Sequence, residues 1–176
     1  MKRYHPIMVT LHWLLALMVI GALGFGLFVL HETPNSDPEK LVLLKMHMIA
    51  GLSILLLMLI RLVLRHTTAR PPAADTGFPL LNKIVTPMHY LLYIAVIVMA
   101  GSGMATSKAA GLPEIVFGGS GAPLPKDFHH IAAHEVHETM ALLLMLLIAA
   151  HIAAALYHQF IRKDGLFSRM WFGSRD

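Results

Sequence analysis

The chain has 176 residues, of which 56% are hydrophobic and only 14% charged, against a soluble norm of about 25% charged. A soluble core of this length could not absorb so much apolar side chain, and the mean hydropathy of +0.65 points to a bilayer protein. There is no cysteine, which excludes disulfides, iron–sulfur clusters, thiolate haem ligands and cysteine-type zinc sites.

Twelve histidines remain as metal ligands. The net charge of +4 is not gathered into an aromatic-interleaved basic patch, so nucleic acid is not an expected partner.

Four apolar segments follow in chain order, and they predict helices at about 7–30, 41–65, 84–107 and 130–161. Each reaches the ~20 residues that cross a hydrocarbon core. Only helices satisfy their own backbone in lipid without closing a barrel. The expected fold is therefore all-α: an integral membrane four-helix bundle, with residues 1–176 forming a single transmembrane domain. The first segment has a basic start, Lys2-Arg3. Its apolar run is longer than the about 7–15 residues of a signal peptide and no small-x-small site closes it, so it is expected to be retained.

The connections are marked by turn residues. Residues 32–40 hold Pro34, Asn35 and Pro38; residues 66–83 hold Pro71, Pro72, Gly77 and Pro79; residues 108–129 are rich in Gly and Pro. The last is the longest and is expected to cap one end. Ten cations fall on one side of the predicted topology: Lys2, Arg3, Arg61, Arg65, Arg70, Lys83, Arg162, Lys163, Arg169 and Arg175. Only Lys40, Lys45, Lys108 and Lys126 fall on the other. The positive-inside rule then puts both termini and the middle loop in the cytoplasm.

His137 and His151 are 14 residues apart in the last segment. That is nearly four helical turns, so both rings leave one stripe, ~21 Å apart along the axis. Such a ladder points to two stacked metal cofactors. Alternating helix direction places His47 at the outer level with His137. It places His12 and His89 at the inner level with His151, and His158 beyond.

A flat macrocycle needs small residues beside each ligand. One turn on, His12 has Ala16, His47 has Gly51, His137 has Ala141 and His151 has Ala155; His89 has Tyr93 and His158 has Arg162. This favours His47 with His137 and His12 with His151. Bis-histidine ligation would leave no open metal position. A lone membrane histidine is more often an interhelical hydrogen-bonding group, and it is the pattern of four that carries the reading. His5, His31 and His66 sit at segment ends and are expected to be solvated or interfacial. His130, His134 and His137 fall at i, i+4, i+7 and are expected to share a helix face, a possible zinc or copper cluster beside His129.

These residues resemble the bacterial cytochrome b561 family, in particular its small free-standing members, superoxide oxidases among them. The resemblance is carried by Arg3-Tyr4 ahead of Leu11-His12-Trp13, by Met46-His47 followed by Gly51 and Arg65, and by Met88-His89-Tyr90. It continues through Val136-His137-Glu138-Thr139-Met140-Ala141 and Ala149 to His158, with Arg162-Lys163-Asp164 after it. It implies two haem b groups ligated by His12, His47, His137 and His151. It also implies ubiquinone or another quinone near the inner haem, with His89 and His158 as the polar candidates to bind it.

The expected function is electron transfer between a periplasmic donor, superoxide foremost, and quinone. An alternative is a haem-bearing subunit of a larger dehydrogenase or hydrogenase-type complex with a partner subunit. A third class, a histidine-lined metal transporter, would call for acidic residues at mid-membrane, and the four segments have none.

Overall fold

The computed structural model describes residues 3–69, 71–72 and 79–173, without the side chains of residues 79–81 and 84–86. Lys2, Arg70, Gly77 and Arg175, used above for orientation and turns, lie outside the described residues. The described residues are helical with no strand. Four helices are long and apolar enough to cross a membrane, over Pro6–Leu30, Lys40–Thr67, Pro87–Ala109 and Ala132–Arg162.

Helix α1 (Pro6–Phe25) opens with proline at its first position, where a missing N–H costs nothing. It runs into a π-turn, Gly26–Leu30. The Lys40 side chain is buried beneath that end and donates to the carbonyls of Leu30 (2.5 Å) and Thr33 (2.6 Å). A cation thus satisfies orphan carbonyls at a helix C-terminus.

Helix α2 (Lys40–Thr67) ends where the Thr68 hydroxyl donates to the Leu64 carbonyl. Helix α3 (Pro79–Ala109) carries Pro87 inside it and stops near Gly111, whose φ of 66° suits glycine. A short α4 (Leu112–Val116) follows. Helix α5 begins at Ala132, two residues after the expected His130, and passes at Leu156 into a π-turn, Tyr157–Arg162.

The main core draws on all four long helices: Leu15 and Val19, Ile54 and Met58, Tyr93, Ala95 and Val96, and Leu144. On α5, Leu144 lies midway between His137 and His151 in sequence. The core therefore separates two histidine levels. Outside it the usual arrangement is inverted: Leu17, Phe28, Leu146 and Ile161 are exposed, while Arg65, Ser102, Thr106 and His158 are buried. An apolar exterior around a polar interior is what lipid demands.

A second cluster of Leu44, Leu112 and Val116, packed against Leu124 and Phe128, seats the long 108–129 connection over one end. Asn35 ties it down by donating to the Pro125 carbonyl (2.8 Å). The opposite end carries both described termini. There a 3₁₀ turn, Leu166–Met170, folds back on the bundle. Tyr4 N–H donates to the Arg169 carbonyl (3.1 Å), Trp13 Nε1 to Met170 (2.8 Å) and Arg3 to Phe172 (2.7 Å). Arg169 donates to the Pro72 carbonyl (2.7 Å), so the α2–α3 connection lies at that end too.

Candidate haem-binding site

At the capped end, His47 of α2 and His137 of α5 face each other with ring centres 6.0 Å apart and planes at 81°. At the terminal end, His12 of α1 and His151 of α5 stand 6.1 Å apart at 69°. The separation suits a shared metal. A metal–imidazole bond of roughly 2 Å on each side, plus about 1.1 Å from nitrogen to ring centre, sets two axial ring centres about 6 Å apart. Both pairs match that spacing.

The capped-end pair is held in detail. His137 Nδ1 lies 2.8 Å from the Met99 carbonyl of α3. A carbonyl only accepts, so Nδ1 carries the proton and Nε2 keeps its lone pair for a ligand. The Ser102 hydroxyl stands 3.3 Å from the same nitrogen. Such outer partners fix ring orientation at metal sites. Phe25 stacks on His47 (6.4 Å, 16°), whose buried Nδ1 has no hydrogen-bond partner among the described residues.

A cavity of about 980 Å³ opens around this pair, bordered by Ala22, Gly26, Gly51, Ala100, Gly103 and Ala141. That is the upper end of ordinary ligand-pocket volumes, about 300–1,000 Å³. Gly103 is needed by a ring itself, while Gly26 lies in ordinary contact range of the other. A Cβ on Gly26 would meet His47 Cε1 at 3.6 Å, and one on Gly103 would meet His137 Cε1 at 3.0 Å. The donor set, the gap and the shaved walls fit a bis-histidine macrocycle.

The terminal-end level is more crowded. His89 of α3 reaches His151 with ring centres 5.5 Å apart, so three imidazoles meet there. The two rivals named from sequence, His12 and His89, both touch His151, and the 6.1 Å gap belongs to His12. The Arg61 guanidinium lies at this end, donating to the Met8 carbonyl (2.5 Å). Arg65 covers the Tyr90 ring at 5.3 Å.

His158 is buried and its Nδ1 contacts Asp164 Oδ2 at 2.6 Å. Burial alone would raise the Asp164 carboxyl, but the bonds from His158 and the Leu166 N–H outweigh it and hold it below its ordinary range. Ala16 and Ala155 are partly buried here, while Gly51 and Ala141 border the cavity. His5, His31 and His66 are exposed, as expected.

One grouping read from the sequence is not formed. His130 precedes α5, is 71% exposed at its side chain and pairs with Asp127; it shares no helix face with His134 and His137. The reason is the late start of α5 at Ala132. His137 itself turns to Met99 and His47. Sequence reasoning also missed Gly26, Gly103, Met99 and Ser102. They sit on helices facing the ligand, whereas the small-neighbour test looked only along each ligand's own helix.

A membrane-spanning helical bundle with facing histidine pairs fits the class of b-type membrane cytochromes. The comparisons agree. Residues 3–173 match the family described as prokaryotic cytochrome b561. The chain is 30% identical to cytochrome b561 homolog 1 of Escherichia coli K12, over 97% of each protein. It is 26% identical to the probable superoxide oxidase CybB of Yersinia pestis over 96% of each. It is 27% identical to cytochrome b562 of Cereibacter sphaeroides over 95% of this chain and 94% of that one. The chain belongs to the prokaryotic cytochrome b561 family, a bacterial multi-pass membrane protein that takes haem b.

Proposed function

We propose that this chain is a di-haem cytochrome that passes single electrons from a periplasmic donor, superoxide foremost, to a membrane quinone. The observation that carries the reading is the pair of imidazole clamps, 6.0 Å and 6.1 Å across, at two levels of one bundle. His47 with His137 and His12 with His151 would hold the two haems. Haem bound there would supply one-electron redox chemistry.

The chain's own residues do the rest. The Met99 carbonyl sets the His137 tautomer, and Phe25 fixes the plane of His47. Lys108 and Lys126 border the capped-end cavity and attract an anion, while Asp127 and Glu138 beside them weaken the steering. Two superoxide anions each give up one electron and leave as dioxygen. The quinone gains two electrons and two protons and leaves as quinol.

At the terminal end, His158 Nδ1–H is committed to the Asp164 carboxylate, so its Nε2 donates to a quinone carbonyl only when the ring is the imidazolium, with both nitrogens protonated. His89 is the second candidate there. The cation bias makes the terminal end cytoplasmic, so superoxide is met on the periplasmic side. The resemblance to a protein named a probable superoxide oxidase supports the donor.

The test is the visible spectrum of the dithionite-reduced protein with a haem count, followed by rapid mixing with superoxide and quinone. Two b haems and superoxide-driven quinol formation are expected. A colourless preparation overturns the haem assignment, and haem reduction by superoxide no faster than in a buffer blank overturns the donor. A stoichiometric partner retained in mild detergent would favour the subunit alternative.

A further inference from the structure

The cluster that replaces the expected histidine face lies at the rim of the capped-end cavity. His129, His134 and Glu138 each place one ligand atom within 4.8 Å of the others, and all three border the cavity. His134 and Glu138 are one turn apart on α5, Nε2 to Oε1 3.9 Å, too long for a hydrogen bond. The other nitrogen of His134, Nδ1, is buried with no partner among the described residues. A buried ring nitrogen without a partner is costly, and Nε2, facing Glu138 without a hydrogen bond, is free to ligate.

His129 comes from outside the helix. Its N–H donates to Asp127 Oδ1 (3.1 Å), Ile131 N–H to Phe128 (2.9 Å) and His134 N–H to Ile131 (2.8 Å). That turn folds the His129 ring over the first turn of α5, 5.9 Å from the His134 ring.

We infer that His129, His134 and Glu138 bind a zinc-class divalent cation at the cavity rim. Two imidazoles and one carboxylate are a three-ligand zinc set that leaves a fourth position for water. Imidazole donors select against calcium and magnesium, which take oxygen. Tetrahedral ligation wants donors roughly 3.4 Å apart. The widest pair must close by up to about 1.4 Å from the 4.8 Å limit, and His129 and Glu138 are exposed and able to move. A bound cation would tie the 127–131 turn to α5 and add positive charge at the mouth of the cavity.

The experiment is equilibrium dialysis of the haem-loaded protein in detergent against zinc sulfate or magnesium chloride, with elemental analysis. One zinc per chain and no magnesium are expected. His129→Ala and His134→Ala should each weaken zinc binding at least about tenfold, and His130→Ala should leave it unchanged. An unaltered haem spectrum reports that each variant is folded, and His129→Ala, on the exposed turn, is the safer of the two. No saturable zinc uptake, or full uptake by the His129→Ala, His134→Ala double variant, overturns the site.

Discussion

Gly103 of α3 stands where the His137 ring of α5 needs space: a methyl group there would sit 3.0 Å from Cε1 and 3.1 Å from Nδ1. The neighbour that must yield is a ring already fixed by the Met99 carbonyl. Gly103→Val should therefore push His137 off its position and lose the haem at the capped end, taking the haem-to-protein ratio from two to one. Gly101→Ala, whose added Cβ meets nothing within 4 Å, should keep both. A pyridine haemochromogen assay reads the difference. Equal haem content in the two variants would show that the ring has slack.

At the terminal end the choice lies between His12 and His89. His12→Ala should remove one haem and His89→Ala neither, because the gap that admits a metal is the 6.1 Å between His12 and His151, not the 5.5 Å between His89 and His151. If the haem counts come out the other way round, the ligand is His89. His89→Ala should instead slow quinone reduction with the haem spectrum intact.

Asp164 anchors the strap that folds back over this end, through His158 and the Leu166 N–H. Its carboxyl is held below the ordinary range despite partial burial, with His158 and Arg162 as the nearby cationic groups. A carboxylate titrating lower folded than unfolded contributes stability that is full above the unfolded value, about 3.9, and is lost as pH falls through the lower folded one. Acidification below about pH 4 should release the strap. Trp13 and Trp171, 5.6 Å apart by ring centres, would report it by fluorescence. Asp164→Asn should give the released signal at neutral pH and a flat acid limb.

Lys40 is 5% exposed and satisfies two carbonyls at the end of the first span. Lys40→Met keeps the length and leaves both unpaired. An unsatisfied buried acceptor costs about 1–3 kcal/mol, so thermal unfolding in detergent should shift down clearly. Lys45→Met, which gives up only a 5.5 Å approach to the Phe117 ring, should shift little. Comparable shifts would mean that water reaches the Leu30 and Thr33 carbonyls.

The chain by itself determined four spans and put His47 at one end with His137, where the structure brings their rings together. These are legible because they depend on local quantities. Span length follows from apolar run length, and ring direction follows from 3.6 residues per turn, which 14 residues nearly divide. Charge bias was legible too, since the cations lie toward the ends of the spans or beyond them, as Arg65 and Lys108 do, rather than at mid-span.

Tertiary structure alone decided what lies across from each ring. Gly103 clears His137 from a different helix, the Met99 carbonyl chooses its tautomer, and Asp164 reaches His158 only because the chain reverses after Lys163, at a left-handed φ of 52°. The late start of α5 dispersed the i, i+4, i+7 histidines and brought His129 to His134 instead. Periodicity describes one helix against itself. A contact between helices depends on rotation, depth and the path of the loops, and those are set only when all four faces are buried together.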